Sequence, residues 1–566
     1  MSGWASHAQA QSQVTQAVHR AVPPTAFQNS GNNAHSQGII QGLTHQTGHH
    51  SFHSSAAANF AALPNASGAN LNLSSGMMSF LAGNIGNFSS LTIDVGGKQQ
   101  QVDLNTKLTA AELVAVQQIM TDGAQSIMLN AHGAATGGTI TLNDAFLNSI
   151  SHAVGGSIAS MTVARNLQII DSVSNLSMPG KLVNFGTIQA AAPTSGATDT
   201  IAASHIYNMY GGSMQSYETS GNLYSADLAL NATHQISNQG TISSAHNLTF
   251  TAPVVDNTGY ISVGSGNINV NSPTSLNVSG NGTWQAANGA INFSSTNADI
   301  SAIEANLLSN TVNFTAGTGN VWANLGNVTG VVNACGAALA VGASAENLRL
   351  GSITADGDPL FFDPAGNIII QTGNEGVSGQ PLSILASGNI TSNGSLNLLD
   401  TSSSKTNGGD ITLVAGANIT SSGSGTTTVV KVNGPSGTGG FIDLTTGAGV
   451  SFKTDSTAAG GNAGNITLIA YGANGSVSTA TGATISAQST SGKGGNLTVI
   501  AGATSKSGQA IDLQSGINTS GLVQGGGNVS LTVATPTGTV SFNGDKTSTQ
   551  FGAASGTFKA GAASTG

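Results

Sequence analysis

The residues best placed to do chemistry are Asp356, Asp358 and Asp363, with Arg349 upstream of them in the stretch RLGSITADGDPLFFDPAG. Two or three carboxylates beside a basic residue on one exposed face could cleave a polysaccharide by acid/base chemistry, or hold calcium for an arginine or lysine base. The local sequence favours a plainer role. Gly357, Pro359, Pro364 and Gly366 mark turns, and Asp is a preferred turn residue because its carboxylate bonds to nearby backbone. The catalytic reading therefore carries a geometric requirement: Asp356, Asp358 or Asp363 must lie beside Arg349, with another acid, in a groove.

Other chemistry-bearing residues are sparser still. Seven of the twelve histidines, His7, His19, His35, His45, His49, His50 and His53, fall before residue 68. They are irregularly spaced, with no Cys, Asp or Glu between them, and read as part of a solvated leader rather than a metal site. The single cysteine, Cys335, rules out a disulfide framework or a paired-cysteine zinc site, and reads as a small buried apolar side chain. The sequence contains neither a nucleophile elbow nor a phosphate-cradling loop followed by Lys and Ser/Thr. A calcium-binding nonapeptide array is disfavoured too, because AGGNAGNITL places Asn465 where that motif needs Asp. No catalytic, cofactor-binding or metal-ligating residue is assigned, and the expectation is a protein that is not an enzyme and has no cofactor.

The elements that would position any site are announced by composition. Of 566 residues, 77 are glycine, only 6% are charged and 5% aromatic, yet 39% are hydrophobic, so a core can form without the usual charged surface. The net charge of −10 comes from 23 acids against 13 bases without a basic stripe, which disfavours nucleic acid as a partner. No run of 18 apolar residues occurs, so no membrane-spanning helix is expected. The start MSGWASHAQAQSQ has neither a basic nor an apolar signal region.

Along the chain, residues 1–68 read as a flexible His/Gln/Asn/Ser-rich leader, and 69–180 as an N-terminal cap region of mixed α/β character. One amphipathic helix is predicted at about 109–121. There Thr109 and Glu112 form a capping box, Leu108 staples against Leu113, and Leu113, Val116 and Met120 share a face. Strand patterns resume at Ser126–Leu129 and Thr139–Leu142. Periodicity dominates 181–550, followed by a flexible tail at 551–566.

In that region Asn-x-Gly-x-Ile occurs at 184–188, 238–242 and 257–261, the last two 19 residues apart, while the strands at 247–250 and 267–270 are 20 apart. Two different patterns returning at the same interval mean one structural unit repeated. Later, GGDITL, GGFIDL, AGNITL, GGNLTV and GGNVSL carry the apolar anchors Ile411, Ile442, Ile466, Leu497 and Val529 at spacings of 31, 24, 31 and 32. Such uneven lengths suit a solenoid whose coils carry surface loops. Asn amides can bond from coil to coil, Gly can take positive-φ corners, and alternating Val, Ile and Leu can fill a narrow interior. The expected fold is all-β: a right-handed parallel β-helix (β-solenoid) with a small mixed α/β N-terminal cap and a disordered leader.

The segment ISNQGTISSAHNLTFTAPVVDNTGYISVGSGNINV, 236–270, resembles the haemagglutinin repeats of the filamentous haemagglutinin family, and the units from 408 onward look like those of bacterial β-strand repeat exoproteins. The resemblance covers about 180–540. It implies a right-handed β-helix exported through an outer-membrane secretion partner and used in attachment. The function expected is a structural and adhesive rod, secreted or at the cell surface, binding cell-surface or matrix glycans or proteins. The alternative is a carbohydrate-active β-helix, a polysaccharide lyase or hydrolase. Low charge at terminal coils also predicts end-to-end self-association.

Overall fold

A short strand with apolar residues on alternate positions has one face to hide and two edges to pair. Stacking such strands in parallel, coil upon coil, answers both needs, and the computed structural model shows that arrangement. It describes residues 160–533 except 164, 166, 174, 191–196, 217–226, 372–373, 394–396, 423–428, 473 and 503–508. It also describes the strand backbones Phe88–Val95, Lys98–Asp103, Ala124–Ala131, Gly138–Leu142, Thr539–Phe542, Phe551–Gly552 and Gly556–Lys559. The leader 1–68 and the helix expected at 109–121 lie outside the described residues.

Every regular element described is a strand, and the fold is a parallel β-helix. Parallel pairing begins upstream of residue 181: Ala124–Ala131 pairs with Ser160–Val163, and Gly138–Leu142 with Leu167–Asp171. Antiparallel pairs occur near both ends of the chain. Phe88–Val95 lies between Lys98–Asp103 and Ala124–Ala131, while Gly556–Lys559 pairs with Asn528–Val533 inside the stretch read as a tail. The described residues divide into two units, one running to Asn271 and including 282–288, the other made of 272–281 and 289 onward.

In the first unit the strand alternation builds inward columns on every face of the coil, and three of these lie one to a face. Ile188, Met214, Ile242, Ile261 and Trp284 form one column. Leu182, Ile206, Ile236 and Val255 form the second. Leu176, Ile201, Leu230, Phe250 and Val270 form the third. All are buried, and Phe250 meets Trp284 edge-on with ring centroids 5.6 Å apart. Each such Ile or Leu withdrawn from water contributes roughly 1.5–3 kcal/mol.

The Asn-x-Gly units lie at one corner of this unit, where their asparagines form a fully buried chain. The Nδ2 group of Asn184 donates to Asn208 Oδ1 at 2.8 Å, Asn208 to Asn238 at 2.7 Å and Asn238 to Asn257 at 2.8 Å. Asn257 Oδ1 also accepts from Gly259 N, closing the local turn. The Asn208 coil escaped the sequence reading because NMYGGSM inserts extra residues, with Gly211 at φ +82°, before its inward Met214. The glycines at the motif position are not the positive-φ corners that the sequence predicts. A Cβ on Gly240 would lie 2.1 Å from Gly212 O, and one on Gly259 2.1 Å from Gly240 O, so close stacking of coils is what demands glycine.

The second unit has an unbroken inward column of Ala323, Val341, Phe361, Ile384, Leu413, Leu468, Val499 and Leu531. Ile411, Ile466, Leu497 and Val529 share these last strands, as the repeat reading expects. Ile442 does not belong with them. It stacks between Ile390 and Val477 on another face, so Ile411 and Ile466 are one coil apart across 55 residues. That length includes an antiparallel hairpin of Ala417–Ser422 and Val429–Pro435.

The hairpin covers an apolar patch on the outside of the solenoid. Leu360, Phe362, Leu385, Val414, Ile469 and Tyr471 pack with its Ile419 and Val430 in a second core. The strands Leu382–Ala386 and Ile411–Ala415 are accordingly buried at every position, inward and outward alike.

Candidate functional site

None of the sequence-selected acids forms an ion pair with Arg349. Asp363, fully buried at the end of Leu360–Asp363, accepts hydrogen bonds from Ala365 N (2.9 Å) and Gly366 N (2.8 Å) through Oδ1, as a turn residue. Burial pushes its carboxyl up to about 6 despite those bonds, and burial likewise pushes Asp358 up to about 6. Asp356 is exposed, and Arg349 lies half-buried in mid-strand between Val331 and Ile369 of adjacent coils. Among the described residues the ion pair present is Lys453–Asp400, and none of Asp356, Asp358 and Asp363 forms one with Arg349.

Cys335 also departs from expectation. It is half-buried rather than a core residue, because the alternation in Val331–Gly336 turns Ala334 inward and Cys335 outward. The histidines before residue 68 lie outside the described residues. Among those described, no cluster of three or more His, Cys, Asp or Glu is disposed to hold a metal, and no helix is long and apolar enough to cross a membrane.

The arrangement with the most chemical potential lies elsewhere in the second unit. Strands Asn397–Asp400, Val450–Lys453, Thr484–Ser486 and Gly516–Asn518 stack in parallel and in register. Leu399, Phe452 and Ile485 point inward and hold the face in place. On the outward side the register builds a column of Asp400, Lys453, Ser486 and Asn518, offering in turn a carboxylate, an ammonium, a hydroxyl and an amide at the strand spacing of about 4.8 Å. Lys453 Nζ lies 3.5 Å from Asp400 Oδ2. A second row runs alongside: buried Asp455 accepts from Ser486 Oγ (2.6 Å) and Gln488 N (2.9 Å), and Gln488 Oε1 accepts from Asn518 Nδ2 (2.9 Å).

An open groove of about 480 Å³ runs over these strands, lined among others by Leu398, Lys453, Asp455, Thr484, Ser486 and Asn518. Its wall is more apolar than polar, through Leu398, Ile485 and Ile517, with Lys453, Ser486 and Asn518 as hydrogen-bonding groups, which suits a ligand that carries both apolar faces and hydroxyl groups. Asp455, already accepting two short hydrogen bonds, is poorly placed to act as a free base.

The sequence does carry a signal for this site, one that repeat anchors alone overlook. Asp400-Thr-Ser-Ser, Lys453-Thr-Asp-Ser, Ser486-Ala-Gln-Ser and Asn518-Thr-Ser-Gly stand at equivalent places on four coils. The second and fourth positions serve the fold. Thr401, Thr454 and Thr519 hydroxyls donate to Gly409, Gly464 and Gly527 carbonyls, and Ser403, Ser456 and Ser489 accept from turn N–H groups. The first and third positions differ from coil to coil, and Lys453, Asp455, Ser486 and Asn518 among them line the groove.

The class these features define is a parallel β-helix with an outward groove that carries both apolar and polar side chains. Comparison with family models, with curated proteins and with solved structures returns no match to this chain.

Proposed function

We propose that this protein is a non-catalytic, structural and adhesive β-solenoid, secreted or carried at a cell surface, that binds cells, surfaces or glycans through outward polar side chains. The observation that carries the reading is the Asp400–Lys453–Ser486–Asn518 column with its adjoining Asp455–Gln488 row, a mixed hydrogen-bonding surface repeated at coil spacing. Hydroxyl-rich polymers present hydrogen-bonding groups along an extended chain and match such a surface. The similarity of 236–270 to filamentous haemagglutinin repeats supports attachment as the role and an outer-membrane secretion partner as the route.

Two measurements test the proposal. Proteinase K applied to intact producing cells should digest the chain while a cytoplasmic control survives, or the chain should be recovered from the medium; full protection until lysis would end the surface role. A glycan array probed with the wild type and with the Lys453→Ala/Asn518→Ala variant should show binding that the variant loses. Unchanged binding would move the site away from the groove.

A carbohydrate-active enzyme is the second reading, favoured by the presence of Lys453 and Asp455 in the same groove. It would require release of new reducing ends or unsaturated sugars from a polysaccharide, abolished in Lys453→Ala.

A further inference from the structure

A second outward column, in the first unit, concentrates positive charge in a chain otherwise poor in it. Lys181 stands opposite His205 in the parallel register of Lys181–Asn184 and Thr198–Asn208. On the next coil, Asp227–Asn238 carries a bulge: Ala203 faces Ala232, but His205 faces Gln235, so one extra residue is inserted and His234 is set over His205. The two imidazoles are parallel to within 2°, with centroids 4.9 Å apart. The order along the stacking direction is therefore Lys181, His205, His234, three basic side chains on three successive coils.

Both rings are held at the same edge. His205 Nδ1 lies 3.1 Å from Ser204 Oγ, and His234 Nδ1 lies 2.9 Å from Thr233 Oγ1. Ser204 Oγ spends its own proton on Gly180 O at 2.8 Å, so it accepts from Nδ1–H and the neutral His205 keeps an open lone pair at Nε2. Parallel rings in equivalent settings, about one strand spacing apart, direct their Nε2 atoms side by side. One metal ion would need both nitrogens at about 2.0–2.1 Å along converging lone pairs, and parallel rings at that separation do not converge. Protonation instead yields two parallel Nε2–H donors beside an ammonium group.

We infer that Lys181, His205 and His234 form an acid-activated ladder that binds the carboxylates of an extended acidic glycan, a polyuronate. The inference rests on the adhesive reading for the class of ligand and on the column itself for the chemistry. The titratable groups facing His205 are Lys181 and His234 on the flanking coils and Tyr207 on its own strand, whose ring stacks at 5.8 Å. Burial first, then His234 and Lys181, hold His205 below the ordinary imidazole range, so the free protein has an incomplete ladder at neutral pH. Carboxylates remain ionised down to about pH 4, which leaves an acidic window in which ligand and ladder carry opposite charges. A repeating anion along the stacking direction then relieves the repulsion among three adjacent cations. Nucleic acid fits less well, because the chain has only 13 Lys and Arg against 23 acids.

The test uses the full chain on immobilised polygalacturonate, with dextran as the neutral control, at about pH 5 and pH 7.5. Binding to polygalacturonate should be about tenfold tighter or more in acid, a difference of one decade being about 1.4 kcal/mol. It should be lost in His205→Gln/His234→Gln, whose circular dichroism and melting should match the wild type. NMR titration of the His205 ring should show its pKa rising when polygalacturonate is added. Equal binding at the two pH values, or binding untouched by the double variant, overturns the ladder and leaves the adhesive reading standing. A raised His205 pKa in a chain that cell fractionation finds internal would support the ladder while ending the adhesive reading. Duplex DNA competing as well as polygalacturonate, with the same acid dependence, would overturn the assignment to a glycan.

Discussion

The two units use the same coil in different ways. In the first, Leu248–Thr251 hides one side, alternating buried Leu and Phe with half-exposed Thr. In the second, Leu382–Ala386 and Ile411–Ala415 are buried on both sides because a hairpin packs over their outer surface. The difference teaches that inward and outward positions in a solenoid are set by alternation, whereas the energetic weight of an outward position is set by what covers it.

The largest expected effect tests that statement directly. Phe362 points outward, seated over Gly342, whose added Cβ would lie 2.2 Å from its ring, and it belongs to the hairpin-covered cluster. Phe362→Ala should cost about 3–5 kcal/mol, as an inward core truncation does. Chemical denaturation followed by hydrogen exchange in the second unit would show it; a cost below about 1 kcal/mol would break the comparison.

A smaller effect probes the buried corner of the first unit. Asn238→Ala removes the acceptor of Asn208 and the donor to Asn257 in one step. It should cost about 1–3 kcal/mol for the groups left unpaired, with exchange protection lost on the flanking coils first. Unchanged protection there would mean that the asparagine chain is dispensable.

The units should also respond to pH over different ranges. In the first, burial and then the charge of Asp199 push Asp171 up to about 8; in the second, burial pushes Asp363 up to about 6. The ordinary Asp value is about 3.9, so in each case the folded state holds a proton that the unfolded state has released. The sign follows: each group favours folding most below about pH 4, and that contribution declines as pH rises through the folded value. Stability of the first unit should fall up to about pH 8, and that of the second should stop falling near pH 6. Unit-specific exchange measured from pH 4 to 8 checks this, and Asp171→Asn should flatten the slope of the first unit alone. Opposite slopes would refute the assignment.

The smallest effect is the counterpart of the largest. Thr249 also points outward, but it lies in an uncovered strand, so Thr249→Ala should change stability by no more than about 0.5 kcal/mol. A loss comparable to that of Phe362→Ala, measured in the same denaturation experiment, would erase the distinction between the units.

Much of the fold was legible because stacking repeats a local instruction. The paired intervals at Asn238/Asn257 and Leu248/Ile268 correspond to register pairs in the folded chain. The Asn208 coil was missed because its extra residues blur the motif, and Ile442 was misplaced because two faces of one coil use the same Gly-Gly-turn-strand form. The groove was less legible than the coils. Its defining side chains sit at the positions of the repeat that vary, and varied residues leave no periodic trace.

By itself the sequence determined the parallel β-helix, the corner asparagines and the alternation that sorts inward from outward, since each depends on short spacings that every coil repeats. Only the tertiary structure decided that glycine at the Asn-x-Gly corner answers to a carbonyl of the preceding coil, that a hairpin turns outward residues into core, and that Lys453 stands beside Asp400 while the Asp363 carboxylate caps its own turn. Those outcomes depend on which coils become neighbours, and loops of unequal length separate neighbours in space by 19 residues in one place and 55 in another.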